Sequence, residues 1–140
     1  MIPQPKLDEI KTILLKSENP LIFFDNDPDG LCSFLLIQKL IEKGKGTIVQ
    51  NHTLDLKFER KLKEYSPDLI LALDIAVVTQ DFVDKINVPF IWIDHHPIKK
   101  VLGARYYNPL FYDEKDNRPV TYWCYKITKQ SLWLAVTGCL

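Results

Sequence analysis

The sequence predicts an α/β domain with a doubly wound, mostly parallel five-stranded sheet and helices on both of its faces. Two observations predict this fold. Short apolar runs without polar alternation recur along the chain, as is typical of strands buried on both faces of a parallel sheet. Segments with the apolar spacing of helices separate these runs, so strands and helices alternate. The 140 residues suffice for a single domain with a hydrophobic core.

The five strands are predicted from the apolar runs. Pro89 lies near the start of the fourth run, where a strand tolerates proline. The runs are LIFF at 21–24, TIVQ at 47–50, LILAL at 69–73, VPFIWI at 88–93 and ARYYN at 104–108.

Helices are predicted in the intervening segments. The first is amphipathic, since Leu7, Ile10 and Leu14 repeat at helical spacing. Gly44 is placed to end the second helix, and Pro119 suits the first turn of the last one. The predicted helices cover about 7–16, 30–43, 58–65, 79–86 and 119–127, and a further apolar stretch follows at 132–136.

Charge and cysteine content limit the function classes that the sequence allows. Lysines and arginines balance aspartates and glutamates to a formal net charge of zero, so nucleic-acid binding would need a local basic patch. The three cysteines, Cys32, Cys124 and Cys139, lack metal-type pairing, which indicates reduced packing residues in a cytoplasmic protein. No apolar run approaches the roughly 20 residues of a membrane span, so we expect no membrane partner.

Three of the predicted strands end in aspartate. Asp25 follows LIFF, Asp74 follows LILAL and Asp94 follows FIWI. All strands of a parallel sheet end at one edge, where open α/β sheets bind ligands, so these carboxylates would converge if their strands are neighbours. The cluster also gains the polar side chains that closely follow these strands, Asp27, Asp29, His95 and His96.

Such a cluster requires neutralisation. Two like unit charges about 4 Å apart repel by roughly 4 kcal/mol at an effective dielectric of about 20, so the carboxylates must be protonated or bind cations. Aspartate oxygens with an imidazole favour Mn²⁺ or Mg²⁺, and then Fe²⁺ or Co²⁺, whereas a set without thiolates disfavours structural zinc. Two ions about 3.5–4 Å apart form a clamp that serves phosphoryl hydrolysis. The sequence therefore predicts a centre of two divalent ions.

Several of these residues also have a structural interpretation. An aspartate after a strand is often a loop or helix-cap residue, and Asp29 is placed to cap the helix that begins near Gly30. Gly30 serves either as a turn glycine or as the point where backbone amides approach a substrate anion. Ser33 fits a position within a helix as well as it fits a substrate contact. Arg105 likewise fits either a solvated surface charge or a substrate contact. His52 is expected to stand apart from the cluster, as a surface or packing residue.

The segment DNDPDGLCS at 25–33 and the triplet Asp94-His95-His96 resemble the DHH phosphoesterase family, and most closely its RecJ-like branch. The segment is similar to the first motif of that family in its aspartate-led form, and Asp74 is similar to the second motif. The resemblance covers nearly the whole chain. It implies two-metal hydrolysis of phosphodiesters or phosphoanhydrides, usually with manganese.

The resemblance also implies roles for individual residues. His96 would face the substrate phosphate and Asp94 would orient its neighbours by hydrogen bonds, which makes both catalytic candidates. The metal ligands that it implies are Asp25, Asp27, Asp29, Asp74 and His95. The candidate substrate-binding residues are Gly30, Ser33, His96 and Arg105.

The family pattern includes parts that this sequence does not contain. In the family, a further metal-binding aspartate follows a helix and a short apolar turn, and a companion C-terminal domain closes over the substrate. The segment LWLAVTGCL at 132–140 is similar to the approach to that aspartate. We therefore expect residues 1–140 to be the N-terminal part of a longer protein, or a minimal relative that completes its site with a second subunit.

The sequence leaves three alternative functions open. The first is a metal-dependent, exonuclease-like phosphoesterase acting on single-stranded DNA or RNA, which the aspartate-led first motif favours. The second is hydrolysis of small nucleotide phosphates, namely short oligonucleotides, cyclic dinucleotides or pyrophosphate, which the neutral net charge favours. The third is a non-catalytic binding partner in a replication or repair assembly.

Overall fold

The computed structural model describes residues 1–140 and contains fifteen elements. The strands are β1 (Pro20–Asp25), β2 (Lys45–Val49), β3 (Thr53–Leu54), β4 (Leu69–Leu73), β5 (Val77–Val78), β6 (Phe90–Ile93) and β7 (Arg105–Tyr107). The helices are α1 (Gln4–Lys16), α2 (Pro28–Ile41), α3 (Glu59–Tyr65), α4 (Gln80–Val83), α5 (Val120–Thr128) and α6 (Leu132–Gly138), with 3-10 turns at Leu56–Phe58 and Pro109–Phe111.

The main sheet has five strands in the order β2-β1-β4-β6-β7, and every neighbouring pair is parallel. The chain adds β2 on one side of β1 and then crosses to β4 on the other side, so the winding direction reverses between β1 and β4. Ligands of open α/β sheets bind outside the carboxyl ends of the strands at such a switch point. The predicted fold class is confirmed.

Two hydrophobic cores cover the two faces of this sheet. Along β1, Ile22 and Phe24 point into one core, whereas Leu21 and Phe23 point into the other. Helices α1, α2, α5 and α6 enclose the first core, and α3 and α4 enclose the second. Burial on both faces explains why the central strands are continuous apolar runs. It also holds the strand ends, and thus the aspartates that follow them, in fixed positions.

The structure departs from the sequence prediction in its smaller elements. β3 and β5 pair in parallel as a second, two-stranded sheet that was not predicted. The carboxyl-terminal segment forms two helices, because the backbone turns left-handed at Lys129 and Ser131 between them. Cys139 is exposed and is therefore not a packing residue, whereas Cys32 and Cys124 are buried as expected. None of the helices has the length and apolar content that crossing a membrane requires.

Candidate metal centre

Three buried aspartates meet at the carboxyl edge of the sheet. Asp25 ends β1, Asp74 follows β4 and Asp94 follows β6, and these three strands are neighbours. Their side chains are at most 1% exposed. The predicted convergence therefore occurs. Burial of carboxylates is costly unless they are paired or coordinate a metal.

The acidic and imidazole side chains form two groups that share Asp74. In the first group, which we call the first lobe, single oxygens of Asp25, Asp27 and Asp74 lie within 4.8 Å of one another. In the second group, which we call the second lobe, one ligand atom each of Asp74, His95 and His96 also lies within 4.8 Å of the others. Two ligand sets joined by one carboxylate are what a bridged pair of divalent ions requires.

Asp74 occupies the centre of this arrangement. Its backbone is left-handed, with φ of 60°, a region that aspartate adopts more readily than most residues other than glycine. Both carboxylate oxygens are buried without a hydrogen bond of good geometry. Burial raises the pKa of Asp74 to about 7, and nearby Asp29 and Asp27 raise it further, whereas His95 opposes the shift. Buried acceptor oxygens without donors fit a bound cation.

The two histidines of the second lobe differ in the nitrogen that they turn toward the aspartates. His96 Nδ1 lies 2.7 Å from Asp94 Oδ1, so this nitrogen carries the hydrogen of the pair. His95 Nε2 lies 3.2 Å from Asp74 Oδ1 and 3.6 Å from Asp29 Oδ2. The close contact with the Asp74 carboxylate outweighs burial and raises the pKa of His95 to about 9. A metal ion bound at His95 would therefore replace a proton there.

A buried network fixes Asp94 and the backbone of the triplet. Asp94 Oδ2 accepts a hydrogen bond from the Tyr106 hydroxyl at 3.2 Å and from the His96 amide at 3.2 Å. Asn108 Nδ2 donates to the Tyr106 hydroxyl and to the His96 carbonyl, both at 2.9 Å. Sequence reasoning did not assign Tyr106 and Asn108 to the site. Their position at the carboxyl end of β7, on the same sheet edge, is the signal that could have found them.

Asp27 and Gly30 shape the junction between β1 and α2. Asp27 is the residue that caps α2, because its Oδ1 accepts a hydrogen bond from the Gly30 amide at 2.8 Å. Gly30 lies against the backbone of Asp25, where an added Cβ would come within 2.3 Å of the carbonyl oxygen. The Gly30 amide is thus already used within the chain. This close approach accounts for glycine at this position, and the substrate-binding role of Gly30 stays a prediction.

Asp29 caps a different helix from the one that the sequence predicted. Its carboxylate accepts hydrogen bonds from the backbone amides of Val120, at 3.0 Å, and Thr121, at 2.7 Å, which begin α5. The N-cap position of α5 is Pro119, which has no side-chain acceptor. The prediction that Asp29 caps α2 is therefore wrong. Its role as a metal ligand stays a prediction, supported by its distance to His95 and opposed by its existing partners.

Two predicted substrate contacts lie outside the two lobes. Ser33 is fully buried between α2 and α5, and its hydroxyl lies 3.2 Å from Thr121 Oγ1 and 3.5 Å from Asp29 Oδ1. Arg105 is the first residue of β7, and its guanidinium lies 3.5 Å from Glu9 on α1. The structure does not bring either side chain to the two lobes.

His52 lies beside the first lobe, and the expectation that it stands apart from the cluster is wrong. Its Nδ1 is 2.8 Å from both carboxylate oxygens of Asp25. His52 follows β2, the strand next to β1, so its loop emerges at the same sheet edge as Asp25. Residues that closely follow parallel strands lie at the carboxyl edge of the sheet, and this rule applies to His52 as it does to the aspartates.

The cluster has no basic side chain of lysine or arginine to neutralise it. Asp25, Asp29, Asp74 and Asp94 form ion pairs with histidines alone. Carboxylate oxygens with imidazole nitrogens are the donor set of Mn²⁺ and related divalent ions. The donor set and the unpartnered oxygens of Asp74 therefore fit a divalent cation.

Comparison with known proteins identifies the fold. RecJ from Thermus thermophilus, solved in complex with Mn²⁺, superposes with a TM-score of 0.70 at 17% identity over 94% of this chain. A second exonuclease RecJ structure, bound to manganese, superposes with a TM-score of 0.67 at 17% identity over 88% of this chain. CDC45 from Entamoeba histolytica superposes with a TM-score of 0.69 at 15% identity over 96% of this chain. The fold is that of RecJ and CDC45. No protein-family model matches the chain, and no curated protein matches it in sequence.

The chain corresponds to a minor part of each of these proteins. It spans 20% of the Thermus RecJ, 37% of the second RecJ and 32% of CDC45. At this identity the likeness concerns the fold, and a shared fold does not by itself carry an activity. Any activity must be argued from the two lobes.

Proposed function

We propose that this chain is a metal-dependent phosphoesterase of the RecJ type that hydrolyses phosphodiester bonds in single-stranded nucleic acid with two Mn²⁺ or Mg²⁺ ions. The observation that carries the proposal is Asp74, a buried carboxylate without a hydrogen bond of good geometry that is shared by two ligand sets. The RecJ structures of the same fold hold manganese, which supports the choice of metal. The number and identity of the ions are part of the proposal.

The ligands of each ion follow from the two lobes. Asp25, Asp27 and Asp74 would hold one ion, and Asp74 with His95 would hold the other. When bound, two such ions neutralise the carboxylates and stabilise the charge that develops on a phosphate during hydrolysis.

His96 is the proposed contact to the substrate phosphate. Its imidazole is about one-third exposed, and the hydrogen bond to Asp94 raises its pKa. The pair thus keeps the hydrogen on Nδ1 and favours a second hydrogen on Nε2. A protonated Nε2 can donate to a phosphate oxygen whose negative charge grows in the transition state. Asp94 orients this imidazole, and the Tyr106 hydroxyl orients Asp94.

The test is hydrolysis of end-labelled single-stranded DNA and RNA in Mn²⁺ by the full chain and its variants. Asp74→Ala and His95→Ala should each abolish turnover and leave the circular dichroism spectrum unchanged. Asp8→Ala, which changes an exposed carboxylate on α1, is the matched control and should retain full activity. Unchanged turnover in both site variants would refute the assignment.

The substrate range and the need for a partner are tested in the same assay. Dinucleotides, cyclic dinucleotides and pyrophosphate are offered beside the long strands. Cleavage confined to these small phosphates would replace the proposed substrate class. We also propose that full activity requires a companion domain or a second subunit to supply positive charge, because no lysine or arginine pairs with the aspartates. Adding the companion domain or subunit that supplies this positive charge should then lower the KM for long strands.

A second candidate function is a non-catalytic binding partner in a replication or repair assembly. The chain is as similar in fold to CDC45 as to RecJ, which favours this candidate alongside the enzyme. The acidic cluster favours the enzyme, since binding alone does not require a group of buried carboxylates. Mn²⁺ binding without turnover of any substrate, with every companion segment present, would establish the second function.

A further inference from the structure

The loop after β2 brings an imidazole against a buried carboxylate of the first lobe. His52 Nδ1 lies 2.8 Å from Asp25 Oδ1 and 2.8 Å from Asp25 Oδ2. The Asp25 side chain is 1% exposed, whereas that of His52 is 62% exposed. The imidazole therefore has little packing of its own, and its strongest contact is with Asp25.

The geometry fixes the direction of this hydrogen bond. Both atoms facing Nδ1 are carboxylate oxygens, which accept hydrogen bonds, so Nδ1 must carry the hydrogen and donate it. A donor shared between both oxygens resists rotation of the carboxylate about its Cβ–Cγ bond. His52 thereby limits the directions in which Asp25 can present its remaining lone pairs.

The backbone of His52 is left-handed, with φ of 54°. Among residues with a Cβ, histidine, asparagine and aspartate adopt this region most often. In this conformation the imidazole of an exposed loop residue reaches the carboxylate of Asp25 at the sheet edge.

We propose that His52 is a positioning residue of the first lobe, which orients Asp25 and so sets the affinity of that lobe for a divalent ion. The inference rests on the proposed function. The ring nitrogens of His52 do not belong to the group of atoms that forms the first lobe, so His52 acts through Asp25 rather than as a ligand. Hydrogen bonds from neighbouring groups to ligating carboxylates typically contribute about 10–100-fold to metal affinity.

The proposal gives the two lobes a common design. In the second lobe, Asp94 and His96 form a hydrogen-bonded pair through Nδ1. In the first lobe, Asp25 and His52 form the same kind of pair with the ligand role assigned to the aspartate. Each end of the centre thus has one aspartate and one imidazole joined by a hydrogen bond through Nδ1.

The experiment measures Mn²⁺ binding to the full chain and three variants by isothermal titration calorimetry and by electron paramagnetic resonance of free Mn²⁺. His52→Gly removes the imidazole and suits a positive φ, so any loss of affinity does not come from backbone strain. His52→Asn keeps a donor nitrogen at the same bond distance from the backbone and tolerates the left-handed region. Asn51→Ala changes the neighbouring exposed residue and is the matched control.

We expect His52→Gly to weaken Mn²⁺ binding at one of the two sites by about 10–100-fold, and His52→Asn to restore most of it. The melting temperature in EDTA should differ little between His52→Gly and the unchanged protein. Equal Mn²⁺ affinity of His52→Gly and the unchanged protein would overturn this proposal alone. Equal loss in His52→Asn and His52→Gly would also overturn it. Absence of Mn²⁺ binding by the unchanged protein would overturn the proposed function and this inference together.

Discussion

Asp29→Ala should destabilise the metal-free protein. Removing one of several like charges is generally expected to relieve repulsion and stabilise the fold, so a predicted loss of stability is informative. The reason is that Asp29 supplies the N-terminal cap of α5 from a distant part of the chain. Its side chain is 12% exposed, so water cannot fully replace it.

The size of the effect follows from the hydrogen bonds that are lost. The two backbone amides of Val120 and Thr121 correspond to a strong cap, worth about 2 kcal/mol. The Thr121 hydroxyl also donates to Asp29, which adds about 1 kcal/mol. The repulsion from Asp74 and the attraction to His95 act in opposite directions. The net loss is about 3 kcal/mol, or about 10 °C in melting temperature for a chain of this length.

Urea unfolding in EDTA, followed by tryptophan fluorescence, measures this loss directly. Asp27→Ala is the matched control, since Asp27 makes one capping bond at an exposed position and should cost about 1 kcal/mol or less. Asp29→Asn keeps one acceptor oxygen, so its loss of stability should lie between those of Asp29→Ala and Asp27→Ala. If Asp29→Ala unfolds at the same urea concentration as Asp27→Ala, the reasoning about α5 is refuted.

Three further variants test the remaining features of the site. Asp74→Asn should raise the melting temperature in EDTA at pH 8 and leave it unchanged below pH 4. The raised pKa of Asp74 makes its ionisation destabilise the fold as the pH rises from about 4 to about 7, so equal melting curves at pH 8 would contradict this. Gly30→Ala should lower the free energy of unfolding by about 3 kcal/mol in urea, because its Cβ would meet the Asp25 backbone; a loss below about 1 kcal/mol would show that the junction can relax. Asn108→Ala should weaken Mn²⁺ binding about tenfold in calorimetry, because the carbonyl of His96 loses its donor; unchanged affinity would argue against a supporting role.

The central strands β1, β4 and β6 could be predicted from the sequence because they are buried on both faces and lead directly into aspartates. β4 occupies 69–73 as predicted, since Asp68 and Asp74 flank an uninterrupted apolar run. β3 and β5 could not be found in this way, because strands of two residues have no periodicity. The break between α5 and α6 lies at Lys129 and Ser131, where no glycine marks a left-handed turn.

The candidate site was predictable to the extent that its residues follow strands. The convergence of Asp25, Asp74 and Asp94 follows from strand order alone. The partners of Asp29 could not be predicted, because its acceptor role depends on how α5 docks onto α2. His52 was missed because a single histidine in a loop has no pattern, although its position after β2 places it at the same edge.

The cap that Asp29 provides joins residues that are 91 positions apart, which affects the order of events during synthesis. At about 5–20 residues per second, roughly 5–18 seconds pass on the ribosome between the appearance of Asp29 and that of Val120. Throughout that interval the nascent segment displays its acidic loop without the amides that later bind it. Docking of α5 onto this loop can therefore begin only after Val120 and Thr121 have been added to the chain.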